Sequence, residues 1–439
     1  MAINLLSGVN LRMTKDDTHI NDIIEIRPPE LYSVPVVCTN GYPVTVTVKV
    51  GDKVKEGTLI AKPSQSKGVF VYSPTSGTVV SIVEKFTPTG MKCKHVVIKN
   101  DNLLQEHNFP EMTDKSPKEL LKRLAISGIV DANFGGSPTY LRYTLNAIEK
   151  KFNLYVTMSN TDPYLTANEC LTLNRTAEVV GGAKYFASLL ASEFIVFVFT
   201  ARARQAKKHL IQFLKKHEPN LKYKIKTISN NYPSDNIHLL NEKFKESRNM
   251  FVETYGKKAF VEDAITCFSF FNSVEYGKPN MYRVITISGN NIIRKGNYIV
   301  KSGTTFQHVL EVVGVKTPDK PFKILNGGIM GGLAEYSTDI SCNLETLSVT
   351  FVDNTEYSEA KESPCINCGK CVAACPMNLL PNVLDDYCLR RKTFDAERYG
   401  VKSCIECGCC SYVCPARRYL AQRIGLVKRQ VSRRKGGSK

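Results

Sequence analysis

The chain has 439 residues, of which 43% are hydrophobic and 23% are charged, a composition typical of a globular protein with about three domains. Its formal net charge of +18 favours an anionic partner, such as an acidic protein or an anionic lipid surface. No basic stretch carries the interleaved aromatic side chains that stack on bases, so we exclude nucleic acid as the partner.

The start of the chain and its apolar runs predict a cytoplasmic protein. Residues 1–5 lack the basic and apolar regions of a signal peptide. The longest apolar run, residues 194–199, is far shorter than the ~20 residues that span a bilayer. Because thiols stay reduced in the cytoplasm, clustered cysteines there indicate metal binding.

Residues 36–100 predict short strands separated by turns. Residues 44–50 alternate at period two, and turn-rich stretches follow at residues 51–57 and 73–79. The pattern resembles the barrel-sandwich hybrid of biotinyl and lipoyl domains, which carry a cofactor on a hairpin lysine. Lys67 lies near the corresponding hairpin with a spacing one residue too short, and we interpret it as an ordinary turn residue.

Residues 115–260 alternate between helical and strand patterns and predict an α/β layer fold. Ser116 and Pro117 predict a helix start, with serine as the N-cap and proline in the first turn. Continuous apolar runs predict buried parallel strands with helices between them. The strands are predicted near residues 152–158, 194–199 and 223–228, and the helices near residues 139–150 and 202–217.

Residues 283–352 return to β character. Residues 284–289 predict a strand, Thr305 begins a short helix, and four glycines within residues 326–332 predict a tight loop. This stretch resembles a soluble-ligand-binding (SLBB) β-grasp domain, and the polar residues 353–363 predict a linker.

The C-terminal region holds two copies of the run Cys-x2-Cys-x2-Cys-x3-Cys-Pro, the bacterial ferredoxin pattern. In such runs three cysteines bind one four-iron cubane and the fourth ligates the other cluster. We therefore predict two [4Fe-4S] clusters that exchange single electrons. One ligand set is Cys365, Cys368, Cys371 and Cys414, and the other is Cys404, Cys407, Cys410 and Cys375.

Zinc also accepts four thiolates, but zinc sites usually pair two Cys-x2-Cys knuckles instead of placing three cysteines in series before a fourth. Cys388 and Cys409 fit neither ligand set. The remaining cysteines are expected to be buried structural thiols. They are Cys38, Cys93, Cys170, Cys267 and Cys342.

The end of the chain predicts a basic amphipathic helix. Residues 416–439 contain nine Lys or Arg and no acidic residue. We expect the first turns to pack on the cluster domain and the rest to contact a membrane subunit or anionic lipid. The apolar residues at helical spacing are Ala416, Leu420, Ile424, Val427 and Val431.

Across nearly its whole length the chain resembles the RnfC family, which belongs to the Rnf ion-translocating electron-transport complex. The resemblance lies in residues 51–54 with 74–79, 162–166, 327–331, 375–381 and 399–408. It implies a multidomain α+β protein: a barrel-sandwich hybrid (1–110), a Rossmann-like α/β domain (111–280), an SLBB β-grasp domain (281–352) and a ferredoxin-like domain with a basic helix (353–439).

The resemblance also implies an electron-transfer subunit of a membrane-bound ferredoxin:NAD oxidoreductase that moves ions. Such a subunit lies peripherally on the cytoplasmic side of the membrane. Its partners are the other Rnf proteins, including membrane flavoproteins and an iron–sulfur subunit, with ferredoxin as an indirect partner. The family uses FMN and NAD(H) at a site like that of the flavin-binding subunit in complex I.

The nucleotide loop departs from the family pattern. Where the family has Gly-x-Gly-Gly-Ala-Gly-Phe-Pro-Thr, residues 131–139 read Asp-Ala-Asn-Phe-Gly-Gly-Ser-Pro-Thr. Asp131 is expected to add bulk and a repelling charge where backbone amides approach a phosphate. A retained site and a lost site both stay open. The candidate flavin or NAD(H) residues are Gly135, Gly136, Thr139 and Asp162.

Two further interpretations stay open at the level of sequence. One is a soluble electron-transfer reductase built from the same modules, as in cobalamin or amino-acid reductase systems. The other is a scaffold whose clusters sense redox state.

Overall fold

The computed structural model describes most of the chain as four successive regions. The described residues are 8–12, 18, 22–36, 43–65, 67–132, 136–146, 152–246, 259–316, 322–353 and 361–436. None of the helices within these ranges combines the length and the apolar character needed to cross a membrane.

The N-terminal region is built from two small antiparallel sheets that share one apolar core. A four-stranded sheet has the order β2-β8-β7-β4, and a three-stranded sheet has the order β3-β5-β6. Val34 and Val96 from the first sheet and Ile60 from the second are fully buried in that core. The first strands are β1 (Ile24–Glu25), β2 (Leu31–Pro35), β3 (Val44–Val46), β4 (Lys53–Val54), β5 (Leu59–Pro63), β6 (Val71–Tyr72), β7 (Gly77–Phe86) and β8 (Lys92–Asn100).

The second region is an α/β layer whose parallel sheet has the order β13-β12-β11-β14. Every residue of β11, β12 and β14 is buried, as expected of strands covered by helices on both faces. The elements are α1 (Pro117–Ile126), β9 (Val130–Asp131), β10 (Ser137–Pro138), α2 (Tyr140–Asn146), β11 (Asn153–Thr157), α3 (Ala167–Asn174), α4 (Thr176–Leu189), β12 (Ile195–Thr200), α5 (Arg204–His217), β13 (Tyr223–Ile228), α6 (Ile237–Glu246), β14 (Ala259–Asp263) and α7 (Ala264–Glu275).

The three predicted parallel strands and the helix near residues 202–217 are confirmed by β11, β12, β13 and α5. Ser116 occupies the predicted N-cap position, but its hydroxyl makes no capping bond and donates instead to Asp114 at 3.1 Å. Gly182 allows α4 and α7 to pack closely, because a Cβ at this position would lie only 1.9 Å from the carbonyl oxygen of Cys267.

The third region is a mixed sheet covered by one helix. Its strand order is β1-β16-β15-β19-β17-β18, so the short strand β1 from the start of the chain forms one edge. Phe306 and Val309 of the helix pack on Ile285 and Val349 of the sheet. The elements are β15 (Tyr282–Gly289), β16 (Gly296–Lys301), α8 (Phe306–Val313), β17 (Phe322–Asn326), β18 (Leu333–Glu335) and β19 (Ser348–Asp353).

The C-terminal region is helical. Its longest helix, α13, buries Leu420, Ile424, Val427 and Val431 against the other helices. The expected packing of the first turns is confirmed, and it extends to Val431, so this apolar stripe is not available to lipid. The helices are α9 (Lys370–Ala374), α10 (Pro381–Leu389), α11 (Thr393–Arg398), α12 (Cys409–Tyr412) and α13 (Leu420–Gly436).

Candidate metal centres and the adjoining cavity

The outer cavity lies at the solvent-facing side of the C-terminal region. It measures about 350 Å³ and is lined by Cys365, Cys368, Cys371 and Cys414. Cys365 and Cys368 are exposed, as is every residue from 361 to 370. The first three cysteines come from one run and the fourth from the other, which is the grouping that the spacing predicted.

The inner cavity lies deeper in the protein. It measures about 380 Å³, and the predicted ligands Cys375, Cys404, Cys407 and Cys410 line it. Cys375 and Cys410 are buried. Burial raises the pKa of Cys410, and the neighbouring thiols of Cys407, Cys404 and Cys375 raise it further. The four thiols are therefore close enough to interact with one another.

Matching backbone turns explain how each run wraps its cavity. Asn367 and Glu406 each have a φ of +53° and occupy equivalent positions between the first two cysteines of their runs. The amide of Glu406 donates to the sulfur of Cys404 at 3.4 Å. Gly369 and Gly408, with φ values of +74° and +78°, then begin the helices α9 and α12. Each short helix carries the fourth cysteine of its run away to the other cavity.

The donor set fits a cubane cluster and does not fit a single ion. A [4Fe-4S] cluster takes one thiolate on each iron, so its four sulfur ligands stand farther apart than those of a tetrahedral zinc site. Among the described residues, no group of three or more His, Cys, Asp or Glu side chains is close enough to hold one metal ion. The zinc alternative therefore finds no support in this geometry.

The surplus cysteines lie beside the ligand cysteines. Cys409 is fully buried, lines the inner cavity, and points its sulfur at the carbonyl oxygen of Tyr232 at 3.8 Å. Cys388 is half-buried, and burial raises its pKa to about 11. Cys170, Cys267 and Cys342 are buried as expected, Cys93 is only half-buried, and Cys38 is outside the described residues.

A third cavity, of about 1050 Å³, joins the α/β region to the inner cavity. It lies at the carboxyl ends of β11 and β14, where ligands commonly bind in α/β proteins. Cys407 forms part of its wall, so a molecule in this cavity would contact a predicted cluster ligand. The charged side chains among its described lining residues are all acidic, and we call it the acidic cavity. They are Asp162, Asp235, Asp263 and Glu406.

Sequence reasoning identified only Asp162 of this acidic lining. The other three come from segments that are far apart in the chain, and no local motif marks them. Asn168, which also lines the cavity, is 4% exposed, and its Oδ1 has no hydrogen-bond partner. An amide oxygen in this state favours a ligand that donates a hydrogen bond.

The predicted nucleotide residues are only partly brought together. Asp162 lines the acidic cavity, whereas Gly136 and Thr139 are buried and do not line it. Gly135 lies outside the described residues. A Cβ at Gly328 would lie 2.5 Å from Asp162 Oδ2, so the glycine-rich loop must pass close to this carboxylate.

Asp131 does not face a phosphate site, and that expectation is wrong. Its carboxylate is 2% exposed and forms an ion pair with Arg142 at 2.8 Å. The same guanidinium also pairs with the buried Glu262. Replacing a glycine by Asp131 therefore adds an internal ion pair, which occupies the one cation on the helix that follows the loop.

The described residues around the acidic cavity do not fit an anionic nucleotide. Phosphate sites supply backbone amides or cations, and burying a phosphate among carboxylates is costly. Here the charged lining is acidic, and Arg142 already serves two carboxylates. We therefore assign no step to FMN or NAD(H) in this chain.

Comparison with known proteins adds two family models and several relatives. The model described as the RnfC barrel sandwich hybrid domain matches residues 3–103, and that of the 4Fe-4S dicluster domain matches residues 358–415. The chain is similar to the C-type subunit of the proton-translocating ferredoxin:NAD(+) oxidoreductase complex of Clostridium ljungdahlii, with 30% identity over 377 residues that cover 83% of this chain and 80% of that protein.

A second relative is the C-type subunit of the ion-translocating oxidoreductase complex of Pseudomonas aeruginosa, with 28% identity over 398 residues. The match covers 87% of this chain and 50% of that relative, so this chain spans half its length. Among solved structures, an NAD+-reducing [NiFe]-hydrogenase in the H2-reduced state matches 72% of this chain and 61% of its own, with 12% identity and a TM-score of 0.48, which is too low to carry an argument.

Proposed function

The chain belongs to the RnfC family of ion-translocating oxidoreductase complexes, and on that premise we propose that it is the electron-transfer subunit of such a complex. The complex is a ferredoxin:NAD oxidoreductase that couples electron flow to ion movement across a membrane. The observation that carries the proposal is the pair of cavities, each lined by three cysteines of one run and one of the other.

We propose that Cys365, Cys368, Cys371 and Cys414 hold one [4Fe-4S] cluster and that Cys375, Cys404, Cys407 and Cys410 hold a second. When bound, the clusters would exchange single electrons between the interior of the protein and its surface. The cysteines of the inner cavity adjoin the acidic cavity through Cys407. Those of the outer cavity lie next to the exposed residues 361–370, where a partner can approach.

The partners in this proposal are the other proteins of the complex. They include membrane flavoproteins and an iron–sulfur subunit, with ferredoxin acting indirectly. The protein would sit peripherally on the cytoplasmic side of the membrane and would be held there by these partners. The exposed Cys365 and Cys368, with Ile366 65% exposed between them, form the surface that such a partner would meet.

The finer domain assignment belongs to the same proposal. We assign residues 1–110 to the barrel-sandwich domain, 111–280 to a Rossmann-like domain, 281–352 to an SLBB β-grasp domain and 353–439 to the cluster domain. The helix-covered mixed sheet from β15 to β19 supports the third assignment.

One observation favours a second candidate function, a soluble electron-transfer reductase built from the same modules. The acidic lining and the occupied Arg142 indicate that this chain does not hold the family's anionic cofactor. Purified protein denatured in the dark should then release far less than one equivalent of fluorescent flavin. Stoichiometric release would show that the site is retained.

Affinity purification of tagged chain from anaerobic cells tests the function itself. A member of the complex should bring down integral membrane flavoproteins in detergent. Recovery of the full-length chain with soluble enzymes alone would favour the reductase instead. A control purification with Cys371→Ser and Cys404→Ser together separates partners that need intact clusters from partners that bind the fold.

A further inference from the structure

We propose that Glu406, Lys428 and Arg429, here called the charged trio, set the reduction potential of the cluster held in the inner cavity. The inference rests on the proposed function in one respect, namely that the four cysteines of the inner cavity hold a [4Fe-4S] cluster. It assigns a role to the basic C-terminal helix, which the relay itself leaves without one.

The charged trio joins α13 to the backbone of the second cysteine run. Lys428 Nζ donates to the carbonyl oxygen of Cys404, a predicted ligand, at 2.7 Å. The same ammonium lies 3.3 Å from Glu406 Oε1, and Arg429 donates to Glu406 Oε2 at 2.8 Å. Both cations are thus held within the turn that wraps the cluster site.

Glu406 stands between two of the predicted ligands. Its amide donates to the sulfur of Cys404, and Cys407 follows it directly. Its side chain lines both the inner cavity and the acidic cavity. The carboxylate is therefore part of the wall between the cluster site and whatever occupies the acidic cavity.

The shape of α13 leaves room for this carboxylate. A Cβ at Gly425 would lie 2.5 Å from Glu406 Oε2, so the glycine opens the space that Glu406 fills. Glu406 itself has a φ of +53°, a conformation that side-chain-bearing residues seldom adopt. The turn that bears Glu406 and the gap at Gly425 fit each other.

The sign of the electrostatic effect follows from charge. Reduction adds one electron to the cluster, so nearby positive charge stabilises the reduced form and raises the potential, while negative charge lowers it. Two cations and one carboxylate leave the charged trio with one net positive charge. Solvent weakens but does not cancel this effect, because the three side chains are only 29–39% exposed.

Two neutral substitutions with opposite predicted signs test the proposal. Lys428→Gln keeps a donor for the Cys404 carbonyl but removes a positive charge, so one midpoint potential should fall. Glu406→Gln keeps an acceptor for the cations but removes the negative charge, so the same potential should rise. The double variant restores the net charge and should return toward the wild-type value. The potentials are measured by anaerobic redox titration of the full chain, followed by electron paramagnetic resonance.

Arg390→Gln serves as the matched control. Arg390 pairs with Asp386 on the surface of α10, where the two side chains are 63% and 51% exposed, and it lines neither cysteine cavity. Both potentials should stay at their wild-type values in this variant.

Iron content and thermal unfolding, measured on every variant, separate the possible failures. If the wild-type chain holds no [4Fe-4S] clusters, the proposed function itself fails. If the clusters are present but Lys428→Gln and Glu406→Gln shift the potential in the same direction, or shift neither potential, the charged trio has only a structural role and the inference is overturned.

Discussion

The two cysteine cavities share one ligand spacing but lie in opposite surroundings. The outer cavity adjoins residues that are exposed throughout, whereas the inner cavity is enclosed between α13 and the acidic cavity. Each is accompanied by one carboxylate that binds two cations from the C-terminal segment. These are the charged trio at the inner cavity and, near the outer cavity, a buried trio formed by Asp385, Arg418 and Arg423.

The two trios differ in burial, and burial decides what each can do. Asp385 is 2% exposed and its two arginines are 12% and 16% exposed, so the buried trio cannot lose a member without stranding a charge. The charged trio is about one-third exposed, so its single ion pairs contribute little to stability. We infer that the first holds the helices together and that the second adjusts the site it touches.

Removing one ligand from each site in turn should give the largest effect. Cys371 and Cys375 belong to one run but line different cavities. Cys371→Ser should therefore empty the outer site and Cys375→Ser the inner site, each leaving about four of roughly eight irons. The iron left in Cys375→Ser, at the exposed site, should be removed faster by a chelator than the iron left in Cys371→Ser. Equal rates in the two variants would remove the contrast between the cavities.

Breaking the buried trio should give the next largest effect. Asp385→Asn leaves two partly buried arginines without their shared carboxylate and should cost about 3–5 kcal/mol of unfolding free energy for the cluster domain. The neighbouring Asp386→Asn breaks only the exposed pair with Arg390 and should cost less than about 0.5 kcal/mol. Urea unfolding, followed through the cluster absorbance, measures both. Similar costs would mean that burial does not separate the two positions.

Filling the gap at Gly425 should give the smallest change in stability. Gly425→Ala brings a Cβ against Glu406 and displaces its carboxylate, while alanine favours the helix by about 1 kcal/mol. The unfolding free energy should therefore change by less than about 1 kcal/mol. The inner potential should rise, as in Glu406→Gln, because the carboxylate moves away from the site. A fall in that potential would contradict the assigned geometry.

The local parts of this arrangement could be predicted from the sequence. Cysteine spacing is a short-range pattern, and it grouped all eight cysteines as the cavities do. Apolar runs likewise located β11, β12 and β13. Helical periodicity identified α13 but not the extent of its packing, because periodicity does not show what covers an apolar stripe.

Features that join distant segments could not be predicted. The pairing of Asp131 with Arg142 and Glu262 spans more than a hundred residues of sequence. Without it, the extra carboxylate was placed toward a phosphate instead of a guanidinium. The four acids of the acidic cavity likewise belong to no shared motif, so only the fold reveals that they face one space.

Metal analysis of the full chain, purified without exposure to air, tests the central claim most directly. Two cubane clusters predict about eight irons and about eight acid-labile sulfides per chain, with two one-electron signals on reduction. Zinc in place of iron, or about four irons in a single cluster, would contradict the account.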